Sequence, residues 1–430
     1  MITSSAFAGK SYAVLGLARS GAAVVDALLA SGAEVMAWDV REDARNAIAS
    51  EARVADPMVT ALTGFSAIVV SPGVPINRHP IAARAREAGV PLIGDIELFA
   101  RARATLPDHK VVGITGTNGK STTTALVHHI VRSAGIPTLM GGNIGLPILA
   151  QDPLPAGGIY VLELSSYQID LTESLDCDVS VLLNVSADHL DRYEGIDDYA
   201  ASKARLFAMQ SPDHVAVIAA EDDYSRAIAA QVSGKRVLVA STDVKDQSRW
   251  PALRGPHNAQ NAAAAVAVAR ALGIDDAAIA RSLATYPGLP HRMERVGERH
   301  GILFVNDSKA TNPTSAAPAL AAYPPDPEPR LHWILGGRAK SDDLDACEPW
   351  FDNVRAAYTI GEAGPMFADL LGDRMPVTEC IILEKAVDAA AEAARPGEVV
   401  LLSPACASFD QFADYEARGE AFRAAVEGLA

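Results

Sequence analysis

The sequence is short of the features that mark membrane, disulfide-stabilised and nucleic-acid-binding proteins. No uninterrupted apolar run approaches the roughly 18 residues that a membrane helix needs, although 49% of the residues are hydrophobic. The four cysteines form no C-x-x-C pair, so neither a zinc ribbon nor a disulfide framework is indicated. Acidic residues outnumber basic ones by 53 to 37, and the net charge of −16 argues against nucleic-acid binding through clustered Lys and Arg.

What is present is the composition of a multidomain globular protein. A chain of 430 residues, at roughly 150 residues per domain, gives about three domains. The first ten residues have no basic region followed by an apolar stretch, so no export signal is visible and we expect a cytoplasmic protein. We further expect small-molecule substrates, no nucleic-acid or membrane partner, and a monomer.

Short apolar strands alternate with helical patterns along the whole chain. The first unit has a strand at residues 12–15, a glycine turn, a helix to residue 30 and a strand at 35–38. Further strands are predicted at 67–70, 110–114, 159–164, 179–184, 302–306, 331–335, 357–360 and 399–402. We predict an α/β protein with a Rossmann-like domain at residues 1–106, a central P-loop mononucleotide-binding domain at 107–290, and a Rossmann-like domain at 291–430.

The strongest motif is the glycine-rich segment at residues 113–122, between a predicted strand and a predicted helix. Such a loop offers backbone N–H groups and a helix amino end to a polyphosphate, while Lys120 adds a positive charge and Ser121 can ligate Mg²⁺. Its spacing departs from the common P-loop pattern, because the first glycine lies one residue earlier. The segment predicts ATP or GTP binding by Gly116, Thr117, Asn118, Gly119, Lys120, Ser121 and Thr122.

A second glycine turn, at residues 16–21, resembles a dinucleotide fingerprint. Asp39 follows Gly16 by 23 residues, roughly where a ribose-binding carboxylate belongs. Ala18 replaces the middle glycine, which hinders close approach to a pyrophosphate. The loop by itself leaves NAD, another nucleotide and a structural turn equally open.

A carboxylate and an imidazole follow central strands and suggest a metal-binding site. Glu163 ends one strand and His189 comes after the next, which places both at the edge of the sheet that carries the phosphate loop. Each alone is as well explained as a cap or turn residue. Together with the loop, they favour Mg²⁺ coordination.

Other polar residues are ambiguous when they are read singly. Lys203 has the pattern of a solvated helix lysine, and Asn258 and Asn261 are as able to cap loops as to bind a base. Arg292, Lys309 and Lys340 suit phosphate or carboxylate groups, which Thr311 and Ser408 could orient. Cys406 is interpreted as a small buried thiol, because no partner histidine is evident from the spacing.

These blocks, in this order, resemble the Mur ligase family, ATP-dependent enzymes that extend the peptide of the bacterial cell-wall precursor. The resemblance covers nearly the whole chain, and the segment Ser-Pro-Ala-Cys-Ala-Ser at residues 403–408 is its most discriminating part. It points to the branch that adds D-glutamate to UDP-N-acetylmuramoyl-L-alanine through an acyl phosphate and a tetrahedral intermediate. Competing hypotheses are glutamate addition to a folate, an NAD-dependent dehydrogenase and a noncatalytic nucleotide sensor.

The resemblance implies a role for each candidate residue. Lys120, Glu163, His189 and Lys203 are catalytic, and two Mg²⁺ ions are held by Ser121, Glu163, His189 and a carbamylated Lys203. ATP is also contacted by Asn258, Asn261, Arg292 and Asp307. The uridine substrate contacts Leu17, Ala18, Asp39, Arg41, Ser71, Gly73 and Asn143. D-Glutamate contacts Lys309, Thr311, Lys340, Ser408 and Phe409. Phe409 stands where the family pattern has leucine, and Tyr415 where it has phenylalanine, so the glutamate pocket is expected to differ in shape or polarity.

Overall fold

A computed structural model describes residues 1–48, 50–188 and 191–429. The chain divides into two compact units. Unit 1 comprises Met1–Val244 and Gln260–Leu283, and unit 2 comprises Lys245–Ala259 and Ala284–Ala430. Among the described residues, no helix is both long and apolar enough to cross a membrane.

The first sheet of unit 1 is parallel and has the strand order β3-β2-β1-β4-β5. Its strands are β1 (Ser11–Leu15), β2 (Glu34–Trp38), β3 (Arg53–Val54), β4 (Ala67–Val70) and β5 (Leu92–Ile93). The helices around it are α1 (Arg19–Ala30), α2 (Glu42–Asn46), α3 (Ile81–Ala88) and α4 (Asp95–Ala102). Every residue of β4 is buried, as expected for a parallel strand that is covered on both faces.

The second sheet of unit 1 is also parallel and has the order β11-β10-β9-β6-β8-β7. Its strands are β6 (His109–Thr115), β7 (Thr138–Gly142), β8 (Gly158–Glu163), β9 (Val179–Leu182), β10 (Val215–Ala219) and β11 (Lys235–Val239). The helices that follow in the chain are α5 (Lys120–Ser133), α6 (Ser166–Asp170), α7 (Ile196–Ala208), α8 (Asp223–Gln231), α9 (Pro256–Ala271) and α10 (Asp276–Thr285). Phe99 of α4 packs edge-on against Tyr160 of β8, with ring centroids 5.1 Å apart, so the two sheets of unit 1 share one core.

The sheet of unit 2 has the order β12-β13-β17-β14-β15-β16, and its edge strand β12 runs antiparallel to β13. Its strands are β12 (Glu294–Arg299), β13 (Ile302–Asn306), β14 (Leu331–Gly336), β15 (Val354–Ile360), β16 (Val377–Ile381) and β17 (Val399–Leu402). The accompanying helices are α11 (Pro313–Ala321), α12 (Gly364–Leu371), α13 (Leu383–Ala393) and α14 (Tyr415–Glu427). The predicted α/β class with largely parallel sheets is confirmed.

Candidate active site

The glycine-rich loop joins β6 to α5, as the sequence predicted. Gly119 caps the start of α5 with a φ of +83°, in the left-handed region that favours glycine, and Gly116 has a φ of +152°. The ammonium group of Lys120 turns back over the loop and donates to the carbonyl oxygens of Gly116 and Thr117, at 2.9 and 2.7 Å. The loop is thereby closed around a positive charge at a helix amino terminus, which is an arrangement suited to phosphate.

Asn184, which follows β9, holds this loop in shape. Its side-chain oxygen accepts from the backbone N–H of Asn118 at 2.8 Å, and its backbone oxygen accepts from the N–H of Thr117 at 2.9 Å. Asn261 lies against the loop from α9, because a Cβ added at Gly119 would stand 2.3 Å from its side-chain oxygen. Sequence reasoning missed the supporting role of Asn184, which is separated from Asn118 by 66 residues.

Lys203 is buried in α7 directly behind the loop, and not solvated as its isolated pattern indicated. Its side chain is 1% exposed, and its Nζ donates to the Gly116 carbonyl at 3.0 Å. The same ammonium lies 4.3 Å from the centroid of the Tyr199 ring. Burial, and then the nearby charge of Lys120, hold the pKa of Lys203 well below its ordinary value. A lower pKa raises the fraction of this side chain that is an uncharged amine at any given pH.

Glu163, at the end of β8, offers a buried oxygen that no group among the described residues satisfies. One carboxylate oxygen accepts from the Asn143 amide at 3.0 Å, whereas the other is buried with no hydrogen-bond partner in that part of the chain. The close approach of β7 requires Gly142, since a Cβ there would stand 2.2 Å from the Glu163 carbonyl oxygen. The free carboxylate oxygen fits Mg²⁺, which prefers such ligands, and Ser121 in the first turn of α5 supplies a hydroxyl.

The remaining member of the predicted metal set, His189, lies outside the described residues. In the described part of the chain, no three His, Cys, Asp or Glu side chains converge as they would to hold a metal ion by themselves.

Arg192, three residues after His189, is hydrogen-bonded to the loop after β4. Arg192 donates to the carbonyl oxygens of Gly73 and Val74, at 3.0 and 3.2 Å, and its guanidinium lies 4.5 Å from the centroid of the Tyr167 ring.

Most of the residues predicted for the uridine substrate meet at the carboxyl edge of the first sheet. The Asp39 carboxylate accepts from the backbone N–H groups of Leu17 at 2.7 Å and Arg41 at 2.9 Å. Burial alone would raise the pKa of Asp39, but these hydrogen bonds and the charge of Arg41 hold it below its ordinary value. Ser71 donates to the Gly16 carbonyl at 3.1 Å, so the glycine turn is tied to both neighbouring strands.

Of the three other predicted contacts of this substrate, two lie around that edge. Ala18 is the residue that caps α1, and Gly73 lies in the loop after β4. Asn143 instead follows β7 in the second sheet and bonds to Glu163. Arg19 connects the two regions, because its guanidinium donates to the Gly145 carbonyl at 3.0 Å.

In unit 2, Asp307 is buried at the carboxyl end of β13. Its two oxygens accept from the Ser403 hydroxyl at 2.8 Å and from the backbone N–H of Met293 at 3.2 Å. Burial raises the pKa of Asp307 to about 7, although these hydrogen bonds and the charge of Arg292 oppose the rise. Asn258 also belongs to unit 2, where its amide donates to the Arg254 carbonyl at 3.0 Å.

The residues predicted for D-glutamate surround the carboxyl edge of the unit 2 sheet. Lys309 donates to the Tyr415 hydroxyl at 2.9 Å, and its ammonium lies 4.3 Å from the centroid of that ring. Lys340 lies 3.5 Å from the Thr311 hydroxyl. From the sequence, Tyr415 was noted only as a departure from the family pattern. In the structure it contacts Lys309, which is one of the residues predicted to bind D-glutamate.

The segment at residues 403–408 is buried, apart from the aromatic residue that follows it. Ser408 is buried, whereas the Phe409 side chain is 64% exposed. Cys406 is buried, as interpreted from the sequence, and burial raises the pKa of its thiol to about 12. Arg418, which sequence reasoning missed, is buried and donates to the backbone oxygens of Ser308 and Cys406, so it braces two loops of the site.

Comparison with known families agrees with this architecture. Residues 10–94 match the Mur ligase MurD-like N-terminal domain, residues 114–254 the Mur ligase middle domain, and residues 291–406 the Mur ligase glutamate ligase domain. The solved structure of a UDP-N-acetylmuramoylalanyl-D-glutamyl-2,6-diaminopimelate--D-alanyl-D-alanyl ligase from Acinetobacter baumannii shares the fold, with a TM-score of 0.61 at 19% identity. That match covers 99% of this chain and 92% of the other. The chain belongs to the Mur ligase family.

Within that family, the chain is most readily compared with curated relatives that align with it over its full length. The chain is 64% identical to the UDP-N-acetylmuramoylalanine--D-glutamate ligase of Sphingopyxis alaskensis, with 100% of both chains covered. It is 58% identical to the ligase of the same name from Zymomonas mobilis, again with 100% of both chains covered.

Proposed function

We propose that this chain is an ATP-dependent ligase that adds D-glutamate to UDP-N-acetylmuramoyl-L-alanine in the synthesis of the peptidoglycan precursor. The observation that carries the proposal is the phosphate loop together with the buried Glu163 oxygen for which the described residues offer no hydrogen-bond partner. Full-length identity of 58–64% to ligases of that name supports the choice of substrates. The enzyme acts in the cytoplasm, where its four buried free thiols stay reduced, and as a monomer.

The reaction has to activate a carboxylate, which is a poor electrophile. The alanyl carboxylate of the uridine substrate attacks the γ-phosphorus of ATP, so that an acyl phosphate forms and ADP leaves. The amine of D-glutamate then attacks the acyl carbon, and the tetrahedral intermediate collapses to an amide and inorganic phosphate. Because both steps move negative charge, catalysis comes chiefly from positioning and from neutralising the transferred phosphoryl group.

Each part of this chemistry has protein groups assigned to it. Lys120 and the backbone N–H groups of the loop bind the β- and γ-phosphates. Ser121 and Glu163 hold one Mg²⁺, while His189 and a modified Lys203 hold a second. The metal ions supply positive charge that offsets the charge on the phosphoryl oxygens. Asn258, Asn261, Arg292 and Asp307 complete the ATP site.

Lys203 serves as a metal ligand only after it is carbamylated. The neutral amine attacks CO₂, a new N–C bond forms, and one proton is released, so that a cation becomes a pair of oxygen ligands. Complete burial and a depressed pKa support this, because an ammonium ion would not react. The Gly116 carbonyl, 3.0 Å away, orients the amine next to the loop.

The substrates occupy the carboxyl edges of the other sheets. UDP-N-acetylmuramoyl-L-alanine lies on the first sheet and is contacted by Leu17, Ala18, Asp39, Arg41, Ser71, Gly73 and Asn143. D-Glutamate lies on the unit 2 sheet and is contacted by Lys309, Thr311, Lys340, Ser408 and Phe409. The three domains span residues 1–106, 107–290 and 291–430.

Phosphate release with one substrate omitted at a time tests the proposal. Turnover should require ATP, Mg²⁺, UDP-N-acetylmuramoyl-L-alanine and D-glutamate together. L-Glutamate is the matched control acceptor and should give only background release. Steady release of ADP and phosphate that does not depend on both UDP-N-acetylmuramoyl-L-alanine and D-glutamate would refute the proposed function.

A further inference from the structure

Unit 2 contains a cavity of about 440 Å³ that none of the proposed substrate residues lines. Three arginines, Arg254, Arg295 and Arg330, surround it together with Tyr323, and we refer to it as the arginine cavity. Arg330 precedes β14, and other lining residues stand at the starts of β13 and β17. The proposed glutamate and ATP residues follow the opposite ends of these strands, roughly 15 Å along a five-residue strand.

Arg330 has hydrogen-bonding capacity that the described residues do not use. Its Nε is buried and has no hydrogen-bond partner among them. Its only ion pair among the described residues is with Asp326 at 3.9 Å, and the Asp326 side chain is 80% exposed. A buried guanidinium N–H without a partner destabilises the protein, and an anion in the cavity would supply the missing acceptor.

The acidic groups of the cavity do not neutralise its arginines. Glu398 is engaged elsewhere, since it bonds to His332 at 2.8 Å and pairs with Arg355 at 3.3 Å. Glu298 on β12 is the other acidic residue of the lining, so the lining has three arginines and two glutamates, one of which is paired elsewhere. The arginine cavity therefore keeps a positive surplus within a protein whose net charge is −16.

Tyr323 lines the cavity together with the three arginines. Burial raises the pKa of this phenol to about 12; Asp307 adds to the rise, while the positive charges of Arg295, Arg254 and Arg330 oppose it. Guanidinium groups that line one cavity are suited to bidentate binding of phosphate or carboxylate. The volume lies within the range of small-molecule sites.

We propose that the arginine cavity is a second anion-binding site, which takes a small ligand with two adjacent anionic groups, such as a diphosphate. Arg330 and Arg295 bind one group each from the sheet side. Arg254 closes the site from the segment before α9. Such a ligand joins that segment to the sheet of unit 2 and stabilises unit 2.

Titration calorimetry of the full chain with inorganic pyrophosphate tests this site. The variants are Arg330→Gln and Arg254→Gln, and Arg299→Gln is the matched control, because Arg299 is an exposed arginine on β12 outside the cavity lining. We expect the wild type and Arg299→Gln to bind one more equivalent than either cavity variant. If a cavity variant still binds that equivalent, its affinity should be at least about 10-fold lower than the affinity of the wild type. A parallel titration with citrate shows whether the site selects phosphate or accepts carboxylates as well.

Equal binding by the wild type and both cavity variants would overturn the proposal, as would equal weakening in all three variants. Melting temperatures without ligand separate binding from folding. If Arg330→Gln does not fold, Arg254→Gln decides the question, because Arg254 is exposed and its one side-chain bond in the described residues is to the Ser248 carbonyl.

Discussion

Replacing Gly119 by alanine tests whether the phosphate loop needs a backbone that only glycine provides. The change adds a Cβ at a φ of +83°, 2.3 Å from the side-chain oxygen of Asn261. Left-handed strain costs an alanine about 1–2 kcal/mol. An ordinary carbon–oxygen contact is about 3.3 Å, so the loop or Asn261 must also move by about 1 Å.

A displacement of that size at a phosphate site is expected to lower kcat/KM for ATP by about 100-fold. Gly135, just beyond the other end of α5, is the matched control. Its φ is +78°, and a Cβ there meets nothing within 4 Å. Gly135→Ala should therefore carry the strain alone, with a similar loss of stability and kcat/KM within twofold of wild type. Steady-state kinetics and urea unfolding of both variants measure the two effects. Unchanged ATP kinetics in Gly119→Ala would refute the role assigned to the loop.

Four further predictions concern buried charge and the contacts that hold the loops in place. Lys203→Ala should be nearly inactive and partly rescued by a short carboxylate, whereas full activity would remove the carbamate from the mechanism. In CO₂-free buffer, Lys203→Met should be more stable than wild type below the depressed pKa of Lys203, because the unfolded chain binds that proton more tightly. The gain should vanish as the pH rises towards 10.5, and a gain that is constant with pH would contradict this reading. Asp307→Asn should stabilise the protein by at most about 4 kcal/mol at pH 8 and by less at pH 5. The reason is that Asp307 loses its stabilising proton in the folded state as the pH rises through about 7. Destabilisation of the variant at pH 8, measured by urea unfolding, would count against this reasoning. Arg192→Lys keeps the positive charge but loses the two hydrogen bonds to the carbonyl oxygens of Gly73 and Val74. KM for the uridine substrate should therefore rise several-fold, with kcat less affected. An unchanged KM would exclude a positioning role for Arg192.

The fold was predictable where strands are apolar and bounded by glycine. The strands at 67–70, 302–306 and 399–402 have the predicted bounds, because their residues are mostly or wholly buried. Several other strands were not anticipated. β3 has two exposed residues, and four of the five residues in β11 are exposed, so neither has a pattern of burial. The antiparallel edge strand β12 is mostly polar and was missed for the same reason. β10 is apolar and mostly buried, and it was missed as well.

The candidate site was predictable at the level of residue types near strand ends, but not in its contacts. Lys203 illustrates the limit, because its local pattern indicates a solvated helix lysine, while the fold buries it behind a loop 87 residues away. The pairing of Glu163 with Asn143 likewise depends on the alignment of β7 and β8. Such contacts arise from the packing of strands that are distant in sequence, which periodicity does not encode.

The transfer of oxygen from substrate to phosphate tests the central claim most directly. UDP-N-acetylmuramoyl-L-alanine with both alanyl carboxylate oxygens labelled with ¹⁸O is incubated with the enzyme, ATP, Mg²⁺ and D-glutamate, and the released phosphate is analysed by mass spectrometry. An acyl phosphate intermediate places one ¹⁸O atom in each phosphate and leaves the other in the new amide. Unlabelled phosphate, released at the rate of amide formation, would contradict the account.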